Sequence, residues 1–186
     1  MIFAHSFIGF PITYELIKKE NYSKEFKKLF YFVGITSAVL PDFDLALGIF
    51  IHDLNHRKLL SHSLTPYLLI FFITYVVSLF LKKYKKRIQT LNLIFFVGVC
   101  SHLFLDFIAG GLSLFSPFYT GIVGIIPNFS SSYGFFASYF LSVYLFAEIA
   151  ILAIYLYYLE KEKQEIVYLL PLIYLLIALI ALILFL

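Results

Sequence analysis

Apolar runs close to membrane length alternate with short polar breaks along this chain. The first run, residues 2–17, reads IFAHSFIGFPITYELI. At about 1.5 Å per residue it barely crosses a hydrocarbon core, and Pro11 is placed to kink it. A polar, basic linker, KKENYSKEFKK, follows over 18–28. Residues 29–51 are long enough to span, yet PDFD at 41–44 interrupts them. A proline followed by two acids predicts a broken helix. Irregular backbone at membrane depth is stable only where it is buried in protein or lines a wet cavity.

Residues 52–63 read as a polar loop, and Pro66 suits the first turn of the next helix. Clean apolar runs over 64–81 and 88–109 are separated by KKYKKR. The second stops at the Gly110–Gly111 pair, a good helix end. The stretch 112–134, rich in Gly, Pro, Ser and aromatics, predicts an interfacial loop. Two more runs, 135–159 and 166–186, flank EKEKQE. The pattern predicts an all-α membrane protein, one integral domain over 1–186. It would be a bundle of five to six transmembrane helices with a broken second helix. Tyr14, Tyr67, Tyr133 and Tyr168 fall near span ends, where interfacial aromatics are expected.

Composition strengthens this. The chain is 62% hydrophobic and 13% charged, and the charged share is about half that of an average soluble domain. Lipid is therefore the expected solvent, and membrane lipids are expected partners. The single cysteine, Cys100, excludes an intrachain disulfide and a CxxC metal knuckle. No P-loop, dinucleotide fingerprint or G-x-S-x-G elbow is present, and no nucleic-acid motif, so no nucleic-acid partner is expected.

Charge distribution orients the bundle. Alternate linkers (18–28, 82–87 and 160–165) hold 12 of the 14 Lys and Arg, and the other set holds only Arg57 and Lys58. Lys/Arg excess marks the cytoplasmic side. The reading is a multi-pass protein of the cell (plasma or inner) membrane with its N-terminus outside. His5, the PDFD segment, His56, His62, His102 and Asp106 then gather toward the extracytoplasmic side.

The candidate chemistry lies there. The stretch Pro41–Ser63 holds three of the eleven acids and three of the five histidines, groups that are costly to keep from water. Asp42 and Asp44, two apart in a broken helix, either reach one cation, bridge two, or cap a solvated helix end. His102 and Asp106, four apart, share one helix face. They either chelate together, or Asp106 orients the ring of a ligand histidine, or they form a hydrogen-bonded pair that ties helices. His56 and His62 lie in the loop at the same level, and His5 sits at the outer end of the first run. Arg57 matches a phosphate by its planar fork, or else faces lipid headgroups. His52 and Asp53 read as loop polars, and Glu148 must face the bundle interior or a cavity. Serines 61, 63 and 101 flank the histidines as donors. A mixed His/Asp set favours a divalent metal, zinc first and manganese second.

Two function classes fit. One is a hydrolase whose metal activates water against a phosphoester, lipid or headgroup, with Asp44 or Asp106 as base and Arg57 on the substrate. The other is a metal-ion transporter or channel, with Glu148 and the broken helix as the path. The one-sided placement of the ligands favours the first. A scaffold with a structural metal is a third reading.

The order of pieces also carries a resemblance. An early His, then PDxD, HR…HS and SHLxLD, followed by glycine and an aromatic-flanked proline (Ser116–Phe118), resembles a family of small multi-pass bacterial and archaeal proteins. These are described as membrane-bound metal-dependent hydrolases. The resemblance runs from His5 to about Phe118. The family is similar in its His/Asp pattern to zinc-dependent phospholipases C and single-strand nucleases. It implies metal-ligand roles for His5, Asp42, Asp44, His56, His62, His102 and Asp106, with Arg57 near the substrate. A tryptophan often precedes the proline in such sequences. This chain has none, which leaves Phe115 or Phe118 in its place.

Overall fold

The computed structural model describes residues 4–49, 56–125, 143–162, 170–174 and 176. Among these, five α-helices account for most of the structure: α1 (Ala4–Ile17), α2 (Lys24–Val39), α3 (Leu64–Phe80), α4 (Lys85–Ile108) and α5 (Val143–Glu162). Three 3₁₀ segments, Leu40–Ile49, His56–Lys58 and Leu60–His62, join α2 to α3. Among the described residues no strand forms, and two isolated bridges, Leu112 with Val123 and Phe115 with Tyr119, fold the loop after α4.

Helix α2 begins earlier than polarity predicts. Ser23 takes extended backbone, and its side chain accepts a hydrogen bond from the Phe26 amide at 3.5 Å. With Glu25 in the first turn, this is ordinary N-capping, and it sets the boundary inside the basic linker. The last five residues of KKENYSKEFKK therefore belong to the helix. The predicted break is at PDFD. There α2 stops and the chain tightens into the 3₁₀ segment.

Among the described residues one helix, α4, is long and apolar enough to cross a membrane, with 24 residues. Helix α3 is apolar but shorter, at 17. Length alone thus supports one crossing where the apolar pattern predicts five to six. Residues 135–142, and most of the predicted run 166–186, lie outside the described residues. The outer faces of α3 are apolar and uncovered, with Phe72 60% and Phe80 80% exposed. Only Tyr67 and Ser78 are buried on that helix.

Helix α1 packs on α2, α4 and α5, α2 packs on α4, and α3 packs on α4. Small residues bring α1, α2 and α4 close. A Cβ on Gly9 would meet the Gly34 carbonyl, and one on Gly98 would meet the Ser37 side chain. Such close backbone approach is how helices associate where no hydrophobic force separates protein from solvent. One core cluster, including Phe7, Phe10, Phe30, Tyr31, Ile94 and Tyr155, binds α1, α2, α4 and α5. A second, Tyr67, Val99, Leu103 and Leu112, joins α3, α4 and the loop. Tyr67 is therefore not an interfacial ring. It is 6% exposed, and its hydroxyl donates to the Ser61 carbonyl at 2.8 Å, which fixes the loop that carries His62.

Candidate metal centre

The site forms where α2 ends. Pro41 has no N–H to continue the helix, and Leu40–Ile49 winds as a 3₁₀ segment of ten residues. Runs beyond three or four residues are uncommon and mark strained or functional places. At three residues per turn, Asp42, Phe43 and Asp44 point three ways. Phe43 is 57% exposed, while Asp44 is buried and Asp42 nearly so. The two acids face the bundle. Helix α4 brings His102 and Asp106 on one face, the first turns of α1 bring His5, and Leu60–His62 brings His62. All three rings are buried.

The donor atoms converge. His62 Nε2 and His102 Nε2 each lie 3.5 Å from Asp42 Oδ1 and 3.6 Å from Asp106 Oδ2. Asp42, His62 and His102 form one set whose donor atoms all lie within 4.8 Å of one another, close enough to share a cation. A second set, His5, His102 and Asp106, also has its donor atoms within 4.8 Å of one another. There His5 Nε2 is 3.4 Å from Asp106 Oδ1, and the His5 ring stacks on His102 with centroids 3.9 Å apart. Asp106 turns Oδ1 toward His5 and Oδ2 toward His62 and His102. The buried His/Asp groups could therefore hold a metal ion.

Neighbouring groups fix the orientation of this set. A carbonyl can only accept, so His102 Nδ1 carries the hydrogen it gives to Ala38 O at 2.9 Å, leaving the Nε2 lone pair aimed inward. His102 Nε2 has no hydrogen-bond partner, a costly state for a buried polar atom unless something else meets it. His62 Nδ1 donates to Asp44 Oδ2 at 2.8 Å, and the Ser61 hydroxyl donates to the same oxygen. This is the carboxylate–histidine arrangement that orients metal-binding rings. Burial alone would lower the His62 pKa, but its bonds to Asp42 and Asp44 outweigh that and raise it to about 9. A metal ion bound at His62 would displace its proton.

Asp44 therefore supports His62 from behind and stands outside both donor sets. Arg57 also differs from the simple picture of a substrate-facing cation. Its Nη1 donates to Ala109 O at 2.9 Å and Gly111 O at 3.4 Å, closing the carbonyl end of α4. Gly110, at φ 122°, gives it room, since a Cβ there would strike Nη1. Its Nη2 lies 3.9 Å from Asp106 Oδ1, and the side chain is 27% exposed. His56 is described in its backbone alone, and His52 and Asp53 lie outside the described residues. Glu148 is buried in α5.

Sequence reasoning missed one residue. The Tyr174 hydroxyl donates to Asp42 Oδ2 at 2.7 Å, which leaves Oδ1 for the two histidines. No local signal marks it, because it is one aromatic in a long apolar run, 132 positions from its partner.

Comparison with known proteins gives a family. The chain belongs to the YdjM inner membrane protein family, whose profile matches residues 1–185. No curated protein and no solved structure matches it.

Proposed function

We propose that this member of the YdjM inner membrane protein family is a multi-pass, metal-dependent hydrolase of a phosphoester. The substrate is a lipid or its headgroup, reached at the extracytoplasmic face of a bundle of five to six crossings. The observation that carries the reading is the convergence of His62 Nε2, His102 Nε2, Asp42 Oδ1 and Asp106 Oδ2 at 3.5–3.6 Å. An all-helical membrane chain has little other reason to bury two acids and two imidazoles together.

Asp42, His62, His102 and Asp106 hold the first cation, zinc before manganese, and His5 with the second oxygen of Asp106 offers a further position. A divalent cation held by these residues would lower the pKa of a bound water and offset negative charge on a phosphoryl group. The chain's own work is positioning. The Ala38 carbonyl sets the His102 tautomer, Asp44 and Ser61 aim His62, and Tyr174 holds Asp42. Of the two carboxylates considered as base, Asp44 is the one outside the donor sets. Its Oδ1 has no hydrogen-bond partner, so it is assigned the proton. Arg57, tied to the end of α4 beside Asp106, turns its remaining N–H groups to a substrate anion.

The test is reconstitution. Protein in vesicles is stripped by chelator, reloaded with zinc or manganese, and assayed on phospholipids and soluble phosphoesters. Turnover should return with metal and be absent in Asp42→Asn. Metal flux across the same vesicles, blocked by Glu148→Gln and with no turnover of any phosphoester, would overturn the hydrolase in favour of a transporter.

A further inference from the structure

From Phe107 to Ala147 the sequence carries no Asp, Glu, Lys, Arg or His. The loop described over 110–125 lies wholly within that stretch, and a loop that lives in water seldom lacks charge over such a length. The described loop also leaves several large apolar side chains exposed. Phe118 is 86% exposed and Ile125 62%, and Phe115, Tyr119 and Ile122 are exposed beside them. These are not stray residues on a polar surface. They belong to one loop.

The loop's backbone is arranged for a poor hydrogen-bonding solvent. Leu112 and Val123 exchange both amide bonds at 3.0 Å, and the Phe118 and Tyr119 amides both donate to Phe115 O, at 2.9 and 3.1 Å. The Ile125 amide donates to Phe107 O at 3.0 Å, and the Ser113 hydroxyl donates to Thr120 O at 2.9 Å. Groups satisfied internally are not lost when water is removed. The loop's level is fixed too. It starts within two residues of the end of α4, the helix long enough to cross, and Leu64 at the start of α3 donates to Leu114 O at 2.8 Å. Both helices end at this height. The exposed apolar side chains of the loop thus stand at the end of the molecule where α4 stops and α3 starts.

We propose that Gly110–Ile125 is an interfacial wedge, with Phe115, Phe118, Tyr119, Ile122 and Ile125 seated in the headgroup–acyl boundary of the bilayer. Aromatic rings favour that layer over both water and the hydrocarbon centre. The Ser63 hydroxyl donates to Ser116 O at 3.2 Å, and the Ser113 amide to Arg57 O at 2.9 Å. The wedge is thereby fastened to the segments that carry His62 and Arg57. The inference does not depend on hydrolysis.

The chain has no tryptophan, so Phe118→Trp creates a single emitter at the most exposed position of the loop. The full-length variant is reconstituted in vesicles of zwitterionic phospholipid, with or without bromine near the top of the acyl chain. The emission should be blue-shifted, should lose about half or more of its intensity to the brominated lipid, and should resist aqueous iodide. Tyr119→Trp repeats the reading from the adjacent ring if the first variant folds poorly. Water-like emission open to iodide overturns the proposal. So does blue-shifted emission that ignores bromine and depends on protein density, which would mean that a second copy of the chain covers the loop.

Discussion

At the residue scale, the site rests on second atoms. Three of the donors that face the centre are aimed by a bond from the other end: His102 by Ala38, His62 by Asp44, Asp42 by Tyr174. Partners of this kind are commonly worth about 10–100-fold in metal affinity. Tyr174→Phe should therefore weaken metal binding by about tenfold without removing a ligand, read by competition with a chromogenic chelator. Unchanged affinity would detach the hydroxyl from the metal. The sequence shows part of this. His102 and Asp106 are legible because a 3.6-residue period puts them on one face, and Asp42 because PDFD interrupts an apolar run. Asp44 is legible as a candidate but not in its role, since spacing cannot say which of two acids turns toward a ring 18 positions away. Tyr174 is not legible at all, because only the folded chain brings it to Asp42.

At the element scale, two junctions decide the geometry. The first is the crossing of α1, α2 and α4 at Gly9, Gly34 and Gly98, which brings the carriers of His5 and His102 together. Gly34→Val would push a side chain into Thr13. It should cost about 1–3 kcal/mol as overpacking, seen as a lower Tm in detergent together with loss of bound metal. A tolerated valine would mean that the helices are looser than they stand here. The second is the carbonyl end of α4, held by Arg57. Arg57→Lys keeps the charge, but one ammonium cannot reproduce the fork between Ala109 O and Gly111 O. It should lower the Tm by an amount matching about 1 kcal/mol and leave the metal content unchanged, because guanidinium is no ligand. Hydrophobic pattern foretold these helices and most of their described ends to within a few residues, α2 excepted. Ser23 capping moved one boundary into the basic linker, and the loop after α4 folds through backbone bridges that no residue pattern announces.

At the scale of the whole molecule, an all-helical inner membrane chain carries buried imidazole and carboxylate at one end and most of its lysine at the other. The basic residues of the linkers between α1 and α2 and between α3 and α4 predict which end faces the cytoplasm. With Cys100 first replaced, cysteine at Lys58 should react with an impermeant thiol reagent in cells whose inner membrane is intact, and cysteine at Lys83 should not. The reverse pattern would move the cluster to the cytoplasmic side. The central claim, that His5, Asp42, His62, His102 and Asp106 form a metal centre, is met most directly by elemental analysis of the protein purified in detergent. Wild type should carry at least one zinc or manganese per chain, and His102→Ala, which removes the donor common to both sets, should carry almost none while still inserting in the membrane. Equal metal in the two, or none in either after growth with both metals, would contradict the account.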